Sequence, residues 1–540
     1  MVSNMNEKIM NYTDNVLRSN RHCENANTSW QSKLMIVLLV VMTAAISGCA
    51  MFGPKYTKPV VNMPSKWNSE SVVANAQESR AGSSSSNILE STSITQPESA
   101  VTYTAWWKKF NDPILNDIID QVLANNNNIQ VAIGNMLSAQ SDLEKTKMLW
   151  IPTLSLGGGG FIGQSFNQNI SSNNPSFTTL GQQNSTSFYG DYAGFVPSYS
   201  VNILQLVQGE KLAKLNVKMR TAAKNAVRLA VIGQAAGSYF ALLGLNKQLI
   251  LQKQMIADAE SLSGYVQLQV NAGAASPERL SMIRQVLAQL RTSLPTIEDN
   301  IVATNNALRV LMNKNPGVID SNNSIDNINV TGVIPLSLPS QVLKSRPDLV
   351  AAEAGVEASN TKIGLSMSEF FPSINLISPV GTSSFQLSNL FSGSTDFWMT
   401  QVAAAVPILN LGIYADIDRS KADYYSAYYR YIQTVRNAFA EVDDSLSKYH
   451  SAAKICTDRA DEVASANDLY TIGDLSYQYG KNSYADTIGF KLNLDSALLE
   501  FNQAKINQLN SIVNLYQVLG GGYDYHNTDK ATPFHDKHDI

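Results

Sequence analysis

The chain has 540 residues, 16% of them charged, with a formal net charge of −4 and a mean hydropathy of −0.11. That length allows several domains, the polarity excludes a polytopic helical membrane protein, and the charge gives no basic excess of the kind that recognises nucleic acid.

Residues 1–48 read as a secretory signal. A polar leader of 32 residues ends at Lys33, and Leu34 to Ile46 is a thirteen-residue apolar run, too short to cross a hydrocarbon layer of about 30 Å as a helix. A cation, a short apolar stretch and then small residues follow the order of a signal peptide, and the long leader points to an internal true start. Ile46-Ser47-Gly48-Cys49 matches the bacterial lipobox, in which the cysteine is diacylated and becomes the mature N-terminus; such chains hold a protein on a membrane without a spanning helix. Ala50, where an aspartate would retain the protein at the inner membrane, resembles the signal for sorting to the outer membrane. With Cys23 in the leader and Cys49 carrying lipid, Cys456 alone remains, so no disulfide forms within the mature chain.

Residues 49–105 read as a lipidated tether, extended at Gly53-Pro54-Lys55-Tyr56-Thr57-Lys58-Pro59 and rich in Ser and Asn from Ser79 to Ser99. The fold proper starts near Trp106-Trp107. Asp112 as N-cap with Pro113 at the first helical position predicts a helix to about Leu149. Between Pro152 and Leu204 the period changes to two. Phe195, Pro197, Tyr199, Val201 and Ile203 share one face, and Val196, Ser198, Ser200 and Asn202 share a mostly polar one. A polar loop from about Gln164 to Ser185 divides two strands, the pattern of a membrane-barrel hairpin.

From about Leu206 to Gln269 no strong breaker occurs, and a helix of 64 residues would reach about 96 Å. Steps of three and four residues meet Leu212, Leu215, Met219, Ala222, Ala226, Leu229, Gly233, Ala236, Phe240 and Leu243, a coiled-coil seam over more than four heptads. Gly273 permits the positive φ of a helix C-cap, Ser276 can N-cap a returning helix to about Met312, and Pro295 predicts a kink in it.

The arrangement then recurs. Trp150-Ile151-Pro152, Val196-Pro197 and Gly273 return as Phe370-Phe371-Pro372, Val406-Pro407 and Gly480. The second seam runs through Tyr428, Tyr431, Val435, Ala438, Val442, Ser445, Tyr449 and Ala452, and Ser483 can cap a last helix to Leu519. The copies span 106–335 (strands about 152–204, helices about 205–313) and 336–523 (strands about 373–408, helices about 411–519), before a polar tail, 524–540. The fold class is mainly α with a small β part and two repeats. Four strands cannot close a barrel, and open edges in lipid leave backbone groups unsatisfied, so strands in a membrane require several copies to share one barrel.

Several motifs carry a resemblance: the lipobox at Cys49, Gly53-Pro54-x-Tyr56-x-x-Pro59, Trp106-Trp107-x-x-Phe110-x-Asp112-Pro113, Ser345-Arg346-Pro347-Asp348-Leu349 and Leu519-Gly520-Gly521-Gly522-Tyr523. In this order and spacing the chain resembles the TolC-like outer membrane factors, specifically the lipoprotein branch, the NodT-type efflux lipoproteins of RND-type tripartite pumps. Tyr523 stands where that family usually has Trp. The resemblance implies a homotrimer in which each chain gives four strands to one twelve-stranded barrel in the outer membrane and four helical elements to an α-helical periplasmic tube. It implies a passive exit channel, with the hairpin tips at Gly273 and Gly480 meeting a periplasmic adaptor and an inner-membrane pump. Alignment on Gly480 places Tyr477 on a tyrosine of the family's periplasmic gate and Asp486 on its first aspartate. Gly489 stands where a second aspartate can occur, and Arg279 takes the position corresponding to Asp486 after the first turn. A ring of Asp486 would favour cations, and Arg279 nearby would pair with it or reverse the selectivity. Read without the resemblance, Asp486 is a solvated first-turn carboxylate, Tyr477 a packing residue and Arg279 a solvated cation.

No catalytic constellation is present. His22 is in the leader, His526, His535 and His538 are in the tail, and His450 is the one histidine of the helical body. There is no P-loop, nucleophile elbow or HExxH, so no enzyme, cofactor or metal is expected beyond the lipid on Cys49. Two alternatives stay open at this stage: the exit duct of a type I protein secretion system, and a lipid-anchored periplasmic coiled-coil scaffold without a pore.

Overall fold

The computed structural model describes residues 53–61, 105–166, 185–319, 323–328, 330, 346–384, 390 and 396–521. The signal segment, Cys49, most of the tether, most of both strand loops, Ser345 and the chain from Gly522 onward lie outside the described residues. The helices are α1 (Pro113–Asn125), α2 (Asn127–Met148), α3 (Ile203–Asn271), α4 (Pro277–Leu311), α5 (Pro347–Ser368), α6 (Leu411–Gln478) and α7 (Tyr484–Val518). The strands are β1 (Thr153–Phe166), β2 (Ser185–Val201), β3 (Ser373–Ile377), β4 (Val380–Ser384), β5 (Asp396–Trp398) and β6 (Gln401–Ala405). They belong to two compact units. One comprises residues up to 56, 149–209 and 360–421; the other comprises 57–148, 210–359 and 422–540.

In the first unit all strand pairs are antiparallel. The second copy, expected as two strands, is four, and the register gives the reason. Ser198 pairs with Ile377 and Phe195 with Val380 in one uninterrupted alignment, while Ile377 pairs with Gln401 and Val380 with Trp398 in another. The ladder lapses only around Pro197 and Pro379, which have no N–H to donate. Across the lapse Ser378 N–H donates to the Pro197 carbonyl at 2.9 Å and Met399 N–H to the Pro379 carbonyl at 3.0 Å. The sheet therefore has four lanes, β1, β2, β3 with β4, and β6 with β5, and its two outer lanes have no further strand beside them among the described residues.

Residues directly opposite in a ladder point to the same face. Leu156, Phe195, Val380 and Trp398 thus form one row across all four lanes, and they are 77%, 54%, 47% and 80% exposed. Leu154, Pro197, Ser378 and Thr400 make the next row on that face, and Tyr199, Leu376 and Val402 the one after it. Gly194 and Gly381 are paired, and a Cβ on Gly381 would sit 2.2 Å from the Ala193 carbonyl oxygen and 2.5 Å from the Gly194 Cα. At the base of the sheet Asn202 Nδ2 donates to the carbonyls of Ser368, at 2.9 Å, and Phe371, at 3.3 Å. The extended segment after Cys49 is also held here. Asn360 Nδ2 donates to the Pro54 carbonyl at 2.7 Å, and Gly53, at φ 87°, would place a Cβ 2.6 Å from the Gly364 Cα.

In the second unit the predicted first helix is broken in two at Asn126. Its Oδ1 accepts from the N–H groups of Asn128 and Ile129 at 3.0 and 3.3 Å, and its Nδ2 donates to the Leu311 carbonyl at 2.8 Å. A buried asparagine that caps a new helix and ties it to α4 has more to gain from a break than from continuing α1. The main core joins Trp106, Phe110, Ile119, Tyr239, Phe240, Leu308, Leu509 and Tyr516. Trp106 is fully buried and stacks on Tyr516 with centroids 4.9 Å apart and planes 7° from parallel. Asp112 caps α1 through the N–H groups of Ile114 and Leu115, and its other oxygen accepts from Tyr239 Oη at 2.7 Å and Asn323 Nδ2 at 2.8 Å. Arg346 spreads its buried guanidinium over Asp348 at 2.7 Å, Glu441 at 2.6 Å and the Val518 carbonyl at 2.9 Å, fastening the start of α5 to α6 and α7.

The seams are where the heptads put them: every residue named above on α3 and α6 is buried or half-buried. Helices α3 and α6 run unbroken for 69 and 68 residues. Helix α4 continues through Pro295 as a single helix of 35 residues. Pro295 is exposed, on the side of α4 where a carbonyl deprived of its N–H partner can be hydrated.

Candidate functional site

Both hairpin turns lie in the helical unit and are built alike. Gly273 and Gly480 have φ of 72° and 69°, and each closes its helix with a paired bond. Gly273 N–H donates to Val270 and Ala274 N–H to Gln269; Gly480 N–H donates to Tyr477 and Lys481 N–H to Ser476. Ser276 Oγ accepts from Arg279 N–H at 3.4 Å and Ser483 Oγ from Asp486 N–H at 3.2 Å, so each serine starts its returning helix. At the first turn the Ser276 hydroxyl also holds the Glu278 carboxyl below the usual carboxylate range.

The two hairpins meet just inside these turns. Leu262 and Val266 of α3, Leu280 of α4 and Ala485 and Ile488 of α7 form one buried cluster. Tyr265 of α3 meets Tyr484 of α7 edge-on at 5.1 Å, and Tyr484 meets Tyr477 of α6 at 5.6 Å. Helices α6 and α7 touch at Gly473, where a Cβ would lie 2.4 Å from the Phe490 ring. Tyr477 thus belongs to a chain of three rings spanning three helices. Asp486 and Arg279 are both exposed. Asp486 Oδ2 accepts from Ser483 Oγ at 2.6 Å, a reciprocal cap, and Arg279 has no ion-pair partner among the described residues.

Farther along the same junction is a buried charged cluster. Asp258 of α3 accepts from Lys491 Nζ at 2.9 Å and from Gln254 Nε2 at 3.0 Å. Asp495, 4% exposed, lies in hydrogen-bonding reach of Asp258, and its Oδ2 is buried without a partner among the described residues. Burial, then the hydrogen bond and charge of Asp258, push the Asp495 carboxyl up to about 6. Burial opposes the charge on Lys491, but the hydrogen bond and charge of Asp258 outweigh it and hold the ammonium above its ordinary value.

The family profile described as outer membrane efflux protein matches residues 118–314 and 338–521, the two repeats in turn. The chain belongs to the outer membrane efflux protein family. It is 25% identical over 499 residues to the probable efflux pump outer membrane protein TtgC of Pseudomonas putida, covering 92% of this chain and 97% of that protein. It is 25% identical over 484 residues to the cation efflux system protein CusC of Escherichia coli, covering 88% and 97%. The fold matches the Campylobacter jejuni CmeC outer membrane channel with a TM-score of 0.71 at 21% identity, over 88% of this chain and 96% of that one.

This efflux channel works by conduction and not by catalysis, and family membership sets aside the pore-free scaffold. The family resemblance, aligned on the turns, pointed to Asp486, Tyr477 and Arg279. Sequence reasoning passed over Tyr265 and Tyr484, and over Asp258, Asp495 and Lys491. The available signal for the last three was charge placed on otherwise apolar helix faces, near Leu262 on α3 and Leu492 on α7. Cys456 is free and half-buried, and burial raises its thiol.

Proposed function

We infer that this efflux channel is a homotrimeric, lipid-anchored exit duct of a tripartite pump. The observation that carries the reading is the four-lane sheet with two edges open among the described residues and two apolar rows on one face, Leu156-Phe195-Val380-Trp398 and Tyr199-Leu376-Val402. In hydrocarbon each unpaired backbone group costs several kcal/mol, so such a sheet is stable only when further copies pair with both edges. Three copies supply twelve strands, the number the TolC-like resemblance implies, and the exposed apolar face then meets lipid. Exposed Met282, Val286, Val302 and Val310 on α4, and Ile455, Leu469 and Ile472 on α6, support the same assembly, because they find no cover among the described residues. The lipobox places acyl chains on Cys49, four residues before the anchored Gly53. TtgC and CusC are described as parts of an efflux pump and a cation efflux system, which supports a periplasmic adaptor and an inner-membrane pump as partners. The detergent-purified protein is expected to have the mass of three chains and to conduct in planar bilayers; a silent monomer would overturn the reading.

In this assembly the periplasmic constriction lies at the hairpin tips, with Asp486 the charged ring, Tyr477 a packing brace and Arg279 its counter-charge. Asp486→Ala is expected to raise closed-state conductance. Asp486→Asn separates the two roles of the carboxylate, since the amide oxygen still accepts from Ser483 while the charge is lost. If both variants conduct like the parent, Asp486 caps α7 and does nothing more.

A further inference from the structure

The junction between the two hairpins holds two buried carboxylates and one partly exposed ammonium. Asp258 comes from α3, in the first repeat, whereas Lys491 and Asp495 come from α7, in the second, one turn apart on the same helix face. Asp258 and Asp495 are 7% and 4% exposed. Lys491 is hydrogen-bonded to Asp258 Oδ1 and Gln254 to Oδ2, so Asp495 faces a like charge and feels the Lys491 ammonium only through space, an attraction that burial and Asp258 outweigh. Helix α6 brings Tyr470 toward Lys491, and α4 contributes none of the charged groups acting on Asp495. With both carboxylates ionised the cluster carries one uncompensated negative charge; with one proton bound it is neutral and the carboxyls hydrogen-bond across the junction.

We propose that Asp495 is a proton-binding site that ties α7 to α3 when protonated, and that loss of this proton loosens the junction of the two hairpins behind the tips. The cluster lies about 18 Å along α7 from Ser483, and Leu492, between Lys491 and Asp495, packs on the apolar tip cluster. The tie therefore acts on the helix that begins with Tyr484 and Asp486.

The sign follows from the raised carboxyl. Asp495 binds its proton more tightly in the folded junction than in an unfolded chain, so its contribution is complete below about 3.8 and is lost as pH rises through about 6. A proton held about a hundredfold more tightly than by an ordinary aspartyl group bounds the change in any opening equilibrium at about a hundredfold. Raising the pH from 5 to 8 should open the junction, within the range a periplasm open to the medium experiences.

The test compares the full-length assembled protein with Asp495→Asn, which is neutral at every pH and keeps the hydrogen-bonding shape. Amide hydrogen exchange of residues 484–495, corrected for the intrinsic pH dependence, is expected to accelerate in the parent between pH 5 and 8 and to stay slow in Asp495→Asn. Closed-state conductance in planar bilayers should follow the same two curves. Identical pH profiles for parent and variant overturn the proposal. The inference rests on the channel reading only for the conductance arm: a protein that never conducts removes that reading, while exchange still decides the proton site. Should Asp495→Asn not assemble, the parent exchange profile alone decides, and a flat one refutes the tie.

Discussion

Valine in place of Gly381 is expected to abolish the assembled channel while leaving the helical unit folded. Gly381 and Gly194 face each other across β4 and β2, and a side chain on Gly381 would meet backbone atoms at 2.2 and 2.5 Å. Backbone on both sides leaves no rotamer to absorb the contact, so the lanes must separate. Separation there breaks the middle of the sheet and doubles the number of unpaired edges that the proposed shared barrel has to close. Outer-membrane fractions of a Gly381→Val strain should lack the oligomer, whereas the far-ultraviolet helical signal of the purified chain should persist. Gly489→Val is the control: a Cβ there meets nothing within 4 Å, and the oligomer should form.

The second large effect belongs to Trp106. It is fully buried among α1, α3 and α7, stacked on Tyr516 and edge-on to Phe110 at 6.3 Å. Trp106→Ala removes one of the largest buried side chains at a place where α1 and the long helices α3 and α7 prevent collapse, and should cost about 3–5 kcal/mol. The indole Nε1 is buried with no partner among the described residues, so Trp106→Phe keeps the stacking, discards an unsatisfied donor and should lose far less. Urea titrations of the two variants in detergent check this. Equal losses would mean that the indole N–H has a partner in the assembly.

The helical half of the protein was largely legible in its residues, because each helix reports on itself. A seam repeating every three and four residues needs no tertiary knowledge, and Gly273 with Ser276 and Gly480 with Ser483 mark their turns by local backbone chemistry. The duplication was legible for the same reason. Two local misreadings are equally instructive. Asn126 looked like one more polar residue in a helix until its contact with the Leu311 carbonyl made it a cap, and Pro379 interrupts a strand whose register nonetheless continues through it.

What the residues by themselves determined is a tandem repeat of paired strands and long coiled-coil hairpins, together with the positions of the turns. Only the tertiary structure decided which groups those hairpins bring together. Asp258 on α3 and Asp495 on α7 are 237 residues apart in sequence, and their like charges oppose the approach of the two helices. They share a buried site because Leu262, Val266, Ala485 and Ile488 pack α3 against α7, and the apolar burial of that cluster holds a charge arrangement that no local pattern would select.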